Sequence, residues 1–370
     1  MRPNEPSATP QNDLFRQKLV NLLDLRHELC RLADRIEWQS LADQFGCLYA
    51  EAGRPGVPIR LMTGLHYLKH SFALSDEQVV NSWVENPYWQ YFCGAEYFCH
   101  ELPIDPSQMT RFRTRLGAAG CEQLLALTIR AGLATQSVQS ASFKQVTVDT
   151  TVQEKAVAFP TDARLYHKTR VALVRVARRH RIELRQSYTR KGKVHKKCEF
   201  GVKVSLTTTQ RDHFIVGAAS LPGNPYDGHT LQSALAQVKR LTGTAPEHCF
   251  VDRGYKGHAI KTTAVPIPGQ KRGITWALRR AIKRRNAIEP IIGHLKNDGL
   301  LGRNFLKGAT GDAMNVILAA AGHNLRIILR KLRLSWLCCL RALLGVLAIP
   351  KPLGASTGLN RCKTGFISGD

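Results

Sequence analysis

Apolar residues recur at three- and four-residue steps through the first third of the chain. Leu22, Leu25, Leu29, Leu32 and Ile36 keep that helical spacing, as do Leu61, Leu65 and Leu68. Ser75, with Gln78 three residues later, reads as a capping box that opens a helix over 76–84, and Asn86-Pro87 stops it. The aromatic run Tyr88-Trp89-Gln90-Tyr91-Phe92 follows, and core packing is the preferred reading of its rings over stacking on bases. Another helix starts after Asp105-Pro106-Ser107 and carries Arg111, Arg113 and Arg115. Residues 15–140 are therefore expected to form a helical N-terminal domain, behind a disordered segment, 1–14, that contains Pro3, Pro6 and Pro10.

Near residue 140 the period changes. Runs rich in Val, Phe and Thr at 145–152, 199–208, 213–220 and 248–251 read as strands. Between the first two lies a basic segment, 164–197, with thirteen Lys or Arg and one acid, Glu183. Leu165, Ala172, Leu173 and Val176 give its first half a helical apolar stripe, and 189–197 reads as a loop or hairpin. Asp227-Gly228-His229-Thr230 is expected to cap a helix through Leu231, Leu235 and Val238, and a helix after Gly273 to carry Glu289. The order strand, strand, strand, helix, strand, helix predicts an α/β fold with a central mixed sheet and helices on its faces, over 141–332. Residues 336–349 are apolar but hold Arg341 and number only fourteen, too few to span a bilayer. They predict an amphipathic closing helix within 333–370, and 351–370 show no periodicity.

Composition narrows the partner. The chain has 53 Lys and Arg against 28 Asp and Glu, a formal charge of +25. Such an excess repels itself unless a polyanion screens it, and nucleic acid fits better than an anionic membrane. Charge alone does not make an enzyme, since a purely structural nucleic-acid binder would share it. The ten cysteines are scattered. Cys93, Cys99 and His100, and the neighbours Cys338 and Cys339, lack the paired spacing of a zinc site. With no apolar signal core at the start, a reduced cytoplasmic protein is expected.

Three acids stand out against this basic background. Asp149 lies inside the apolar run Val146-Thr147-Val148-Asp149-Thr150-Thr151-Val152, a poor place for a carboxylate unless it opens onto a site. Asp252 ends the strand His248-Cys249-Phe250-Val251 and meets the turn Arg253-Gly254-Tyr255. Glu289 follows after 36 residues that contain ten Lys and Arg and no acid. Arg285 lies four residues before it and Lys296 seven after, on one helix face. Taken singly, each acid reads as a surface or cap residue. Together, isolated carboxylates among cations are what metal-dependent chemistry on a polyanion requires. Asp298, on or just past the same helix, is the substitute for Glu289. Arg111 and Arg115, at i, i+4, suit either a phosphate-tracking face or a solvated one. Arg175, Arg178, Arg179 and Arg185 of the basic segment are expected to track a DNA backbone.

Several stretches resemble the insertion-sequence DDE transposases, the insertion-sequence-five family most closely. They are Val148-Asp149-Thr150-Thr151, Val251-Asp252-Arg253-Gly254-Tyr255, and Arg285-Asn286-Ala287-Ile288-Glu289-Pro290 with Lys296, which keeps the family spacing R-x3-E-x6-K. Pro160 to Tyr166, Phe200 to Val204, Pro222 to Thr230, Gly302 to Gly308 and Ala321 to Leu325 extend the likeness to about residues 40–332. One position departs: the family has Tyr three residues before the Arg, where this chain has Ile282. The resemblance implies a ribonuclease-H-like mixed sheet with flanking helices behind an all-α, DNA-end-binding domain. It also implies that Asp149, Asp252 and Glu289 are catalytic and hold two Mg2+ ions, with Mn2+ as a substitute. The implied substrates are double-stranded DNA ends at terminal inverted repeats, then target DNA, handled by a homo-oligomer on the bacterial nucleoid without membrane contact. Two alternatives remain open at this point: a non-catalytic DNA-binding relative, and a structure-specific nuclease on the same core.

Overall fold

A computed structural model describes residues 17–49, 56–156, 162–182, 201–269 and 275–347. The expected disorder of 1–14, the loop at 189–197, Arg185 and the segment 351–370 lie outside these. Residues up to Arg333 make one compact unit and those from Leu334 another.

The chain begins with helices α1 (Leu19–Leu22), α2 (Glu28–Ala33), α3 (Trp38–Gly46), α4 (Ile59–Phe72), α5 (Asp76–Glu85), α6 (Pro87–Phe92) and α7 (Ser107–Ala134). The leucine period from Leu22 to Ile36 is not one helix. Asp24 Oδ1 accepts from the Arg26 N–H at 2.9 Å and turns the chain, and the His27 side chain then caps α2. Leu22, at the end of α1, and Leu25, on that turn, are exposed. The capping box at Ser75 and Gln78 forms with both of its hydrogen bonds. Asn86 ends α5 and starts α6 at once, its side chain accepting from Tyr88 and Trp89 with Pro87 in the first turn. Trp89 and Phe92 go into the core, as the aromatic run suggested.

The sheet follows: β1 (Gln145–Lys155), β2 (Gly201–Thr209), β3 (Ile215–Leu221), β4 (His248–Phe250) and β5 (Arg303–Asn304). Its order is β3-β2-β1-β4, with β5 pairing the far end of β1. β1/β2 and β2/β3 are antiparallel, whereas β4 and β5 run parallel to β1. The mixed sheet thus agrees with the alternation in the sequence, and the two-residue β5 was not foreseen. Around it lie α8 (Asp162–Arg179), α9 (Asp227–Thr242), α10 (Trp276–Arg284), α11 (Ile288–Asp298) and α12 (Gly308–Leu347). The single helix expected to carry Glu289 is two, α10 and α11, joined by a 3-10 turn, Arg285–Ala287. The apolar stripe on α8 meets no core: Leu165, Leu173 and Val176 are all exposed. Among the described residues no helix is long and apolar enough to cross a membrane.

α12 binds the helical part to the sheet, which explains the motif from Ala321 to Leu325. A Cβ on Gly322 would collide with the His70 carbonyl at the end of α4, so only glycine allows that approach. Asn324 donates to the Ile215 carbonyl and accepts from its N–H, each at 2.8 Å, and so satisfies the open edge of β3. Arg326 donates to the carbonyls of His70 at 3.0 Å and Asp298 at 2.9 Å, closing the ends of α4 and α11 together. The stretch around Asn304 has a similar role: Asn304 donates to Asp312 at 2.7 Å in a buried polar network with Gln153 and Asn315.

Candidate active site

Asp149 sits midway along β1 opposite Leu206, with its side chain only 15% exposed. Its Oδ1 accepts from the Thr150 N–H at 2.8 Å. In the parallel pair, Gln145, Val146 and Thr147 lie beside His248, Cys249 and Phe250. The pairing ends there; carried two positions further, that register would bring Asp252 level with Asp149, and the Asp252 charge bears on the Asp149 carboxyl. Asp252 also caps the 3-10 turn Arg253–Tyr255, accepting from the Gly254 N–H at 2.8 Å.

Glu289 arrives by another route. On α10 the half-buried positions are Leu278, Ala281 and Ile282, and the next at that spacing is Arg285. This narrow inner face delivers the Arg285 guanidinium, 13% exposed, to a point between two acids. Its Nη1 is 3.7 Å from Asp149 Oδ2, and its Nη2 is 3.5 Å from Glu289 Oε1 in the first turn of α11. Ile282, at the position where the family has Tyr, lies on that apolar stripe. Burial pushes the Asp149 carboxyl up, and neighbouring Asp252 and Glu289 push it further. The Thr150 N–H and Arg285 pull it back only in part, and it settles at about 6.

A fourth acid belongs to this cluster, and the sequence reading assigned it elsewhere. Asp227 does not cap α9 with its side chain. Its Oδ1 lies 2.6 Å from Lys203 Nζ and accepts from the Thr150 hydroxyl at 3.2 Å. Asp227 and Asp252 each place a carboxylate oxygen within 3.4 Å of the point a Cβ would occupy on Gly254. Asp227 therefore touches the residue after Asp149 and the turn after Asp252. Beside them the Tyr255 hydroxyl is buried with no hydrogen-bond partner, and burial with the nearby Asp227, Asp149 and Asp252 charges pushes its pKa up. Replacing Asp227 with Asn leaves the Lys203 ammonium without its charge partner and should lower the melting temperature, and Asp227→Asn with Lys203→Met should restore it. Thermal melts of the two variants check this; equal losses in both would mean that packing and not charge sets the pair's contribution.

The remaining candidates sit on other elements. Lys296 is half-buried on α11, and Asp298, at the far end of that helix, pairs with His294 at 3.0 Å. Arg111 and Arg115 are exposed on α7, Arg115 over the Tyr49 ring at 4.5 Å, while Arg113 turns inward. Arg178 and Arg179 are exposed in the last turn of α8. Among the described residues no three His, Cys, Asp or Glu side chains close into a ready metal cage. Between Asp149 and Glu289 stands the Arg285 cation instead.

Residues 17–115 match the transposase domain family DUF772. The chain is 54% identical over 193 residues to the uncharacterized protein ORF8 in the nfe locus of Rhizobium meliloti, which covers 52% of this chain and 93% of the relative. A piggyBac transposase synaptic complex with hairpin DNA aligns with 71% of this chain at 10% identity and a TM-score of 0.23, a level of likeness that carries no weight for the fold. This chain spans 55% of that transposase chain. By the extent of the Rhizobium match the chain belongs to the family of that ORF8 protein, and the match over residues 17–115 supports a transposase.

Proposed function

We propose that the chain is a DNA transposase of the insertion-sequence-five type. In this reading it cuts at the inverted-repeat ends of its element and joins them to target DNA, with Asp149, Asp252 and Glu289 as a DDE acid trio. The observation that carries the reading is Arg285, whose guanidinium stands between Asp149 and Glu289, with the Asp252 charge acting on Asp149 as well. The sheet order, three antiparallel strands with β4 parallel to β1, supports a ribonuclease-H-like core. The transposase domain match and the +25 charge support DNA as the substrate.

The donor set suits a hard divalent cation. Three carboxylates with no nitrogen or sulfur ligand favour Mg2+ or Mn2+, and Asp149, held near 6 beside two other acids, is a site that added positive charge would relieve. Such ions, two in the usual arrangement, would activate the attacking oxygen and neutralise the charge that builds at phosphorus. The protein's own groups do the positioning. Arg285 orients Asp149 and Glu289, and the Gly254 N–H fixes Asp252. Arg285 at the acids and Lys296 in the last turn of α11, with Arg178, Arg179 and Arg185 and with Arg111 and Arg115, would hold phosphates. Assembly as a homo-oligomer on the cytoplasmic nucleoid belongs to the same reading.

The test is a purified reaction with DNA carrying the inverted repeats that flank the gene, a target plasmid and Mg2+. Expected are cuts at the repeat ends and joined products. Cuts without joining, and without regard to the ends, would mean a nuclease. Binding without cuts would mean a non-catalytic relative.

A further inference from the structure

A cleft of about 340 Å³ opens near the start of β1, lined among the described residues by Ala141, Ser142, Gln145, Gln210, Arg211 and Arg284. No acid lines it. Two guanidiniums, two carboxamides and a hydroxyl surround the space, and planar guanidinium forks match the oxygens of a phosphate. Arg211 and Arg284 are exposed; Arg284 donates to the Arg211 carbonyl at 3.4 Å, and the Arg211 guanidinium donates to Gln139 at 3.3 Å. Two cations lining one cleft favour an anionic occupant.

The position of the cleft says which anion. Gln145 and Asp149 are four residues apart on β1, so both face the same side of the sheet, roughly 13 Å from one another at the rise of an extended strand. Arg284 and Arg285 are consecutive: Arg284 lines the cleft and Arg285 reaches Asp149 and Glu289. The cleft and the acids are thus two stations on one face, bridged by the end of α10. Phosphates of one DNA strand rise roughly 3.4 Å per step along the axis and also wind around it, so a straight separation of roughly 13 Å corresponds to about two base steps.

We propose that this cleft holds a backbone phosphate of the bound DNA about two base steps from the bond that is cut, with Arg211 and Arg284 as its ligands. The inference rests on the transposase reading and gives that DNA a fixed path across the sheet. Α10 supports it, since its outward residues, Trp276, Arg279, Arg280, Lys283 and Arg284, include four cations and no acid along the same route.

The experiment uses the full chain and end DNA in which single phosphates are replaced by neutral methylphosphonates. Wild-type protein should lose about tenfold in affinity when a phosphate one to three steps from the cut is neutralised. Arg211→Gln with Arg284→Gln should lose a similar factor on unmodified DNA, become insensitive to that substitution, and show a log–log salt slope smaller by about one. Both side chains are exposed, so folding should survive; should the double variant melt early, Arg211→Gln alone carries the test through its reduced sensitivity to the neutral phosphate. Unchanged affinity and slope, or undiminished sensitivity to the neutral phosphate, would overturn the assignment. So would binding of inorganic phosphate or a mononucleotide that the double variant loses while its DNA slope stays at the wild-type value. A wild-type protein that binds no DNA would instead sink the transposase reading itself, and this inference with it.

Discussion

Replacing Asp149 with Asn should make the protein more stable and inactive at once. The Asp149 carboxyl sits at about 6 in the fold against 3.8 for the free side chain, because burial and the neighbouring acids disfavour its charge. Between those values the folded state holds a proton that the unfolded chain has released. Stability therefore falls as pH rises from about 4 through 6, and the whole penalty is present above 6. Asparagine mimics the protonated form and avoids it, a gain of up to about 3 kcal/mol at pH 8 and none near pH 3. Thermal melts of both proteins across that range check the sign. Mg2+ should raise the melting temperature of the wild type but not of the variant, since only the wild type gains a cation-binding carboxylate. Strand cleavage should fall by at least about a thousandfold, the scale seen when a member of a catalytic unit is lost. A variant less stable than wild type at pH 8 would mean that Asp149 is held by structure and not poised for a cation.

The second large effect lies in the helical part. Arg113, 3% exposed, makes two hydrogen bonds to Asp76 at 2.8 and 2.6 Å, and Lys69 approaches the same carboxylate at 2.7 Å. Burial pushes the Asp76 carboxyl up, but Arg113 and Lys69 outweigh it and hold the group well below the usual carboxylate range. Its contribution is thus present at neutral pH and is lost as pH falls below about 4. The adjacent His66 is pushed down to about 3 by burial and by Arg113, so it is neutral at pH 7 and charges only within that same acid window. Arg113→Ala leaves a buried carboxylate with half its partners gone and should cost about 3–5 kcal/mol. Arg113→Met with Asp76→Leu should recover much of that loss, because the unpaired charge goes too. Denaturant titration of the two variants measures the difference. Equal losses in both would show that packing, not charge, holds α5 against α7.

Local chemistry was legible in the sequence wherever partners lie within a few residues. The capping box at Ser75, the stop and restart at Asn86-Pro87, and the strands around Asp149 and Asp252 all follow from neighbours. The leucine period from Leu22 failed for an equally local reason, because Asp24 and His27 prefer to bond the backbone and break the helix. What the sequence did not show depends on distance along the chain. Asp227 reads as a helix cap, yet its carboxylate is taken by Thr150, 77 residues earlier, and by Lys203. Asn324 pairs with a strand edge 109 residues away, and the Arg113–Asp76 pair spans 37. No periodicity encodes such pairings; they exist only once the elements have packed.

The acid trio is tested most directly by strand cleavage on end DNA in Mg2+ with Asp149→Ala, Asp252→Ala, Glu289→Ala and, as the control, Asp298→Ala. Expected is loss of cutting in each of the first three, with DNA affinity equal to or slightly above wild type because a charge that repels phosphate has gone. Asp298→Ala should cut normally. Wild-type cutting by any of the three, or its loss in Asp298→Ala alone, would contradict the assignment.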